Sequence, residues 1–237
     1  LMRFAPRLTA GLLSCFTAHI ALADGSSAGQ IYAPYVQPLE KEIELVGVYD
    51  ARSSRSLIPS SHWTKVGYGT ALWDHLYTEV AVTRTVAENE TYTTVELEGI
   101  WQITEQGEYD SDWGMLFELE TSFDRSAHEF TVGLLNSRDW GRWTFLTNVT
   151  AAVEWGDDIH DEIETALAIQ TRYRASQAIE PTLEIFMAQD TLSMGPGLTG
   201  IVKFDGPEQL RWNAVVLTGL DNNTDLSVKL EFEYEFF

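Results

Sequence analysis

Cysteine is almost missing from this chain: Cys15 is the single one in 237 residues, and nothing after residue 23 carries a thiol. That excludes a disulfide scaffold and a thiolate metal or redox centre. Long apolar runs are missing too. Beyond Leu8–Leu22 no apolar run reaches ten residues, so no later segment crosses ~30 Å of hydrocarbon as a helix. Positive charge is scarce, with 15 basic residues against 36 acidic ones and a net charge of −21. Such a surface repels phosphate, which excludes nucleic acid and anionic membrane faces as partners. Helical periodicity and low-complexity linkers are absent as well.

What is present begins with an export signal. Met2 to Arg7 carries Arg3 and Arg7, Leu8 to Leu22 is mostly apolar, and Ala21-Leu22-Ala23 precedes Asp24. A basic start, a short apolar stretch and a small-x-small end predict a signal peptide over 1–23, removed before Asp24. Cys15 lies inside the apolar stretch, and the sequence runs past it to the cleavage site. Cleavage leaves 13 basic residues against 36 acidic ones, a net charge of −23.

The C-terminus alternates strictly. Leu226, Val228, Leu230, Phe232, Tyr234 and Phe236 share one parity, while Ser227, Lys229, Glu231, Glu233 and Glu235 share the other. Period-two alternation gives a strand with one apolar and one polar face. Weaker alternation recurs in segments of about ten to fourteen residues separated by Gly, Asp or Asn turns. Strands are expected at 39–51, 61–72, 75–86, 91–103, 112–122, 127–137, 141–155, 161–174, 179–189, 194–204, 209–219 and 225–236. Clear faces include Thr93, Val95, Leu97, Gly99, Trp101 and Ile103, and Ile163, Thr165, Leu167, Ile169, Thr171 and Tyr173.

A soluble sandwich would also alternate, so the tryptophans help to choose. With both termini on the periplasmic side, Trp73, Trp101, Trp113, Trp140, Trp143 and Trp212 fall near one rim and Trp63 and Trp155 near the other. Two belts of aromatic residues are what the interfaces of a membrane barrel predict. The signal, the alternating strands and the Leu226–Phe237 ending together resemble bacterial outer-membrane β-barrel proteins, small short-looped ones in particular. The resemblance covers nearly the whole chain after residue 23. It implies an all-β, antiparallel up-and-down transmembrane barrel of about 12 strands, with 10 or 14 as alternatives, in the outer membrane of a Gram-negative bacterium. It also implies an assembly signal at Phe232, Tyr234, Phe236 and Phe237, with outer-membrane lipid and the barrel-assembly machinery as partners. The barrel is expected over 39–237, and residues 24–38 extend into the periplasm or enter the barrel, with Tyr32 and Tyr35 as anchors.

The lumen is expected to be acidic. Glu44, Glu96, Glu98, Glu118, Glu164, Glu231 and Glu233 line it, with Arg172, Arg174, Lys203, Arg211 and Lys229 as counter-charges. Those charges either leave a narrow path that favours cations or pair across the lumen and fill it. A narrow porin-like channel is the leading expectation, and a scaffold that sheathes a periplasmic partner is the alternative. A rim hydrolase is third. His62 beside Ser60 and Ser61, and His128 beside Ser126 and Asp124, are its candidates, with His75 and His160 completing the histidines after residue 23. No G-x-S-x-G elbow accompanies them. Asp157, Asp158 and Asp161 form a weak acidic candidate for a hard cation. No cofactor is expected.

Overall fold

The computed structural model describes residues 28–51, 60–87, 90–124, 126–157, 162–189, 191–220 and 226–237. The expected signal over 1–23, residues 52–59 between the first two expected strands, and Asp158, His160 and Asp161 lie outside these residues. The described chain is strand and turn, with no helix. Its strands are β1 (Lys41–Ala51), β2 (Ser61–Trp73), β3 (Leu76–Ala87), β4 (Glu90–Gln102), β5 (Asp112–Ser122) and β6 (Ala127–Trp140). They continue with β7 (Trp143–Gly156), β8 (Glu162–Tyr173), β9 (Glu180–Met187), β10 (Leu192–Lys203), β11 (Gln209–Gly219) and β12 (Leu226–Phe236). Each strand pairs antiparallel with its sequence neighbours, and β1 closes on β12 from Lys41↔Phe236 to Ala51↔Leu226. The result is a closed twelve-stranded up-and-down barrel without a free edge, as a hydrocarbon environment requires of a sheet.

Alternation sorts the side chains. On β12 the odd residues Ser227, Lys229, Glu231 and Glu235 are buried inside, while Leu226, Leu230, Phe232 and Tyr234 are exposed outside. On β4 the even residues Glu96, Glu98, Ile100 and Gln102 point in, and Leu97 and Trp101 point out. The outside is therefore a continuous apolar belt. Each large side chain there gains about 1.5–3 kcal/mol on leaving water for lipid.

Two turns show how local chemistry places these strands. Trp140 pairs with Trp143 across the two-residue turn Gly141-Arg142, and Gly141 has φ 63°. A two-residue hairpin with its positive φ at the first central position is a type II′ turn, which glycine adopts without strain. At the other site Leu39, exposed and with φ 69°, turns the chain sharply into β1. The Glu40 carbonyl then accepts from Ala71 N at 3.0 Å and Thr70 Oγ1 at 3.1 Å, which fixes that corner to β2.

The ninth and tenth strands were the poorest alternators in sequence, and β9 is the shortest strand, with eight residues. Pro181 and Pro196 both sit in this hairpin with exposed rings on the outer face. Proline has no N–H to give the ladder, which shortens what can pair there.

Candidate functional site

The lumen is occupied by the chain itself. Residues 28–38 run inside the barrel from the end that holds Lys41 and Phe236 (the terminal end) towards the far end. Of the two expected placements, the structure has the segment inside the barrel. Its hold on β4, β5 and β7 is made by side chains. Asn148 of β7 clamps the Tyr32 backbone, accepting from Tyr32 N at 2.7 Å and donating to Tyr32 O at 2.9 Å. The Tyr32 hydroxyl donates to Glu118 at 3.0 Å and the Tyr35 hydroxyl to Asp112 at 2.9 Å. Val36 N donates to Gln102 Oε1 at 2.8 Å. Gly114 of β5 leaves room for the segment, since a Cβ there would lie 2.9 Å from the Pro34 ring.

Apolar contacts complete the hold. Val36 packs with Tyr77, Ile100, Leu116 and Leu135, and Tyr32 and Ala71 lie against them. Deeper in, Ala28 is fully buried with Val46, Val48, Phe186, Val215 and Leu217. Trp63 packs on this second cluster from inside. That corrects its expected place in the lipid-facing belt: the odd parity of β2 points inward, as Lys65 on the same parity shows. The other seven tryptophans face outward, Trp73 through the register shift after Ala71 that reverses the parity of β2 at its end, and Trp73, Trp101 and Trp140 are the most exposed.

Five basic side chains organise the carboxylates. The Lys65 ammonium is 3.4 Å from Glu44, 3.1 Å from Glu79, 3.0 Å from Glu96 and 3.4 Å from Glu98. It also donates to Gln30 Oε1 of the segment at 2.9 Å, while Gln30 Nε2 donates to Glu44. Lys229, fully buried, sits 2.8 Å from Glu184 and 3.8 Å from Glu231, donates to Gly29 O at 3.1 Å, and lies 5.1 Å from the Phe186 ring centre. Arg211 pairs with Glu235 and is 3.9 Å from Glu233. Arg172 pairs with Glu180 at 3.2 Å, and Arg174 with Asp139 at 2.6 Å on the rim. Glu164 is on the inward parity of β8, opposite Ala152.

Lys65, Glu79 and Glu184 were not singled out from the sequence. Lys65 is hidden because its parity also carries Trp63, Gly67, Gly69 and Trp73 and looks like neither face. The glycines are the signal that would have found it. Inward Gly67 and Gly69 leave the space that the Glu79 carboxylate and the Tyr77 hydroxyl occupy.

Beside the segment, β1, β3, β4 and β7 to β12 enclose a cavity of about 470 Å³. Nine carboxylates line it, those of Glu40, Glu42, Glu44, Glu79, Glu98, Glu180, Glu231, Glu233 and Glu235, against the three guanidiniums of Arg172, Arg174 and Arg211. Gln106 and Gln177, from loops at the terminal end, also line it, and its deep end lies at Gln30 and Asn213. At its mouth, burial and then a hydrogen bond with Glu235 push the Glu40 carboxyl up to about 8. Burial likewise pushes the Tyr35 hydroxyl up to about 12.

The hydrolase candidates do not assemble. Ser61 has inward parity and His62 outward parity on β2. His128 faces outward, 3.2 Å from Thr121 Oγ1 and against the Trp155 ring. Asp124 accepts instead from Thr93 N at 2.9 Å. His75 lies in the terminal-end turn, 3.6 Å from Glu105. Two carboxylate triads converge within 4.8 Å among the described residues: Glu79, Glu96 and Glu98, and Glu44, Glu231 and Glu233. The Lys65 ammonium fills the first.

No family model matches the chain, and no curated protein matches it in sequence. Solved structures do match in shape. An outer membrane channel from Pseudomonas putida F1 has a TM-score of 0.62 at 12% identity, covering 86% of this chain and 98% of that one. The KdgM porin in complex with disordered oligogalacturonate gives 0.56 at 8% identity, covering 83% and 98%. The translocator domain of the autotransporter NalP from Neisseria meningitidis gives 0.54 at 10% identity, covering 85% and 89%. The closed twelve-stranded sheet, its apolar outside and these likenesses agree: the fold is that of the bacterial outer-membrane β-barrels.

Proposed function

We propose that this chain is an outer-membrane channel of a Gram-negative bacterium, closed by its own N-terminal segment, with an acidic path that favours cations. The observation that carries this reading is the cavity beside the segment, where nine carboxylates meet three guanidiniums. Fixed negative charge in a low-dielectric wall raises the local concentration of cations and repels anions. A polyanion such as the oligogalacturonate named with KdgM is poorly suited to it. Closure is reversible in this reading. Residues 28–38 are held by side-chain hydrogen bonds and small apolar clusters, outside the sheet ladder, so they leave without breaking the barrel.

The alternative, a scaffold that sheathes a periplasmic partner, draws on the apolar packing of Ala28 with Val46, Val48, Phe186, Val215 and Leu217 deep in the lumen. Single-channel recording in a planar bilayer across a salt gradient separates the two. The expected outcome is rare steps for the native chain and frequent steps for Gln102→Ala/Asn148→Ala, with a reversal potential on the cation side. Silence from both proteins, each shown folded by heat-modifiable gel migration, rejects the channel and leaves the scaffold.

A further inference from the structure

Strands β1 and β12 set carboxylates directly opposite one another. Glu42 pairs with Glu235 and Glu44 with Glu233, while Glu231 stands one level deeper opposite Val46. All five carboxylates line the cavity. Like charges facing each other across a ladder destabilise a sheet, and the cations in reach are shared. Lys65 serves four carboxylates, Lys229 serves Glu184 as well as Glu231, and Arg211 serves Glu233 and Glu235. The ladder is short of positive charge.

A second observation points to a donor in the same place. Asn213 of β11 pairs with Glu231 in register, lines the cavity and is only 7% exposed. Its Nδ2 donates to Glu184 Oε1 at 2.8 Å, but its Oδ1 has no hydrogen-bond partner. An unmatched buried carbonyl oxygen asks for an N–H or O–H, and a bound ammonium supplies one.

We infer that the cavity is a binding site for a linear oligoamine, its ammonium groups on successive levels of the Glu42–Glu235, Glu44–Glu233 and Glu231 ladder and on Asn213 Oδ1. Same-face residues along a strand repeat at roughly 6.7 Å, a spacing that short methylene chains between amines bridge. Apolar side chains of the same lining are suited to those methylenes: Ile31, Tyr32, Ile100 and Leu146 interrupt the charge, while the Tyr77 hydroxyl donates to Glu42. The lumen already binds alkylammonium groups this way, since Lys65 and Lys229 each sit among carboxylates within 4 Å. A hard divalent cation wants its oxygens gathered in one shell at about 2.3–2.6 Å; Glu44, Glu231 and Glu233 converge within 4.8 Å of one another, whereas Glu42 and Glu235 extend the carboxylates to a further level that a longer ligand spans.

The inference deepens the reading of an acidic path by naming its ligand, but its test does not depend on current. Isothermal titration of the refolded chain in detergent with spermidine is expected to give saturable binding. Glu42→Gln and Glu233→Gln are each expected to weaken it about tenfold, the loss of one charge-assisted contact. Asn213→Leu weakens it less, and Glu162→Gln, on β8 outside the cavity, leaves it unchanged. Heat-modifiable migration confirms that each variant is folded. Absence of saturable binding overturns the site, as does native affinity in both glutamate variants. Calcium binding tighter than spermidine also overturns it and makes Glu44, Glu231 and Glu233 a metal triad. Amine binding without conductance would leave the site standing and reject the open path.

Discussion

The wall that residues 32–36 of the N-terminal segment cover and the wall that the segment meets only at its deep end, through Ala28, Gly29 and Gln30, are built from the same alternating strands and solve burial differently. On β4, β5 and β7 the lumen side chains Gln102, Asp112, Glu118 and Asn148 each meet a group of the segment. Buried polar atoms there are satisfied within the chain, and Val36 with Leu116 and Leu135 dries the contact. On β1, β11 and β12 carboxylate faces carboxylate, and Asn213 keeps a free acceptor. The contrast teaches that, on the proposed channel reading, closure and selectivity draw mainly on different strands. One wall holds Tyr32 and Val36 through polar side chains, and the other packs Ala28, ties Gly29 and Gln30 through Lys229 and Glu44, and sets carboxylates face to face.

The sharpest way to break that division is at Lys65, where the walls meet. Its ammonium touches Glu44 on one side and Glu79, Glu96 and Glu98 on the other, and its side chain is 3% exposed. Lys65→Met strands four buried carboxylates, which is expected to destabilise the barrel by roughly 3–5 kcal/mol. Urea unfolding from lipid vesicles, followed by tryptophan fluorescence, reads this as a lower midpoint. Lys203→Met, at an exposed strand end, is the reference. Equal midpoints for the two variants would mean that water, and not the lysine, neutralises the cluster.

Asn148 sharpens the comparison with a smaller effect. Asn148→Ala removes both bonds to the Tyr32 backbone and leaves an N–H and a carbonyl buried without partners. At about 1–3 kcal/mol for such groups, release of the segment should rise about ten- to a hundredfold. The chain has no cysteine beyond Cys15, so Ala33→Cys reports release by its rate of thiol labelling. Asn213→Ala, on β11, should leave that rate unchanged. Matching acceleration in both would show that the Asn148 clamp is not what sets release.

Architecture was legible in the sequence because a barrel in lipid obeys a single rule. Every strand must show alternate residues to hydrocarbon, and the Leu226–Phe236 parity states that rule openly. The glutamates of the polar parity followed from it, and so did their inward direction. The segment's path could not be read, since Gln30, Tyr32 and Tyr35 have no period and their partners are 14 to 116 residues away. Trp63 misled for a related reason. A tryptophan near a rim reads as an interfacial anchor, yet on β2 the inward parity carries it, and it packs against the Val46 cluster, filling space. Lys65 was masked by the same mixed parity.

The smallest effect is expected at the hinge between the two walls. Glu40 is buried where the segment turns into β1, and it faces Glu235 of β12, Glu42 of β1 and Arg211 of β11, with the Gln37 amide 3.4 Å away. Burial first, and then the shared hydrogen bond with Glu235, push its carboxyl up to about 8. A carboxyl raised in the docked state holds its proton to higher pH than it does once released. Docking is therefore strongest below the ordinary carboxylate range and weakens as pH rises towards 8. Open events in single-channel records should become a few-fold more frequent between about pH 5 and pH 8.5, and Glu40→Gln should flatten that rise. A steep rise that survives Glu40→Gln would move the pH sensor onto the carboxylate ladder itself. Gating and selectivity would then belong to the same wall.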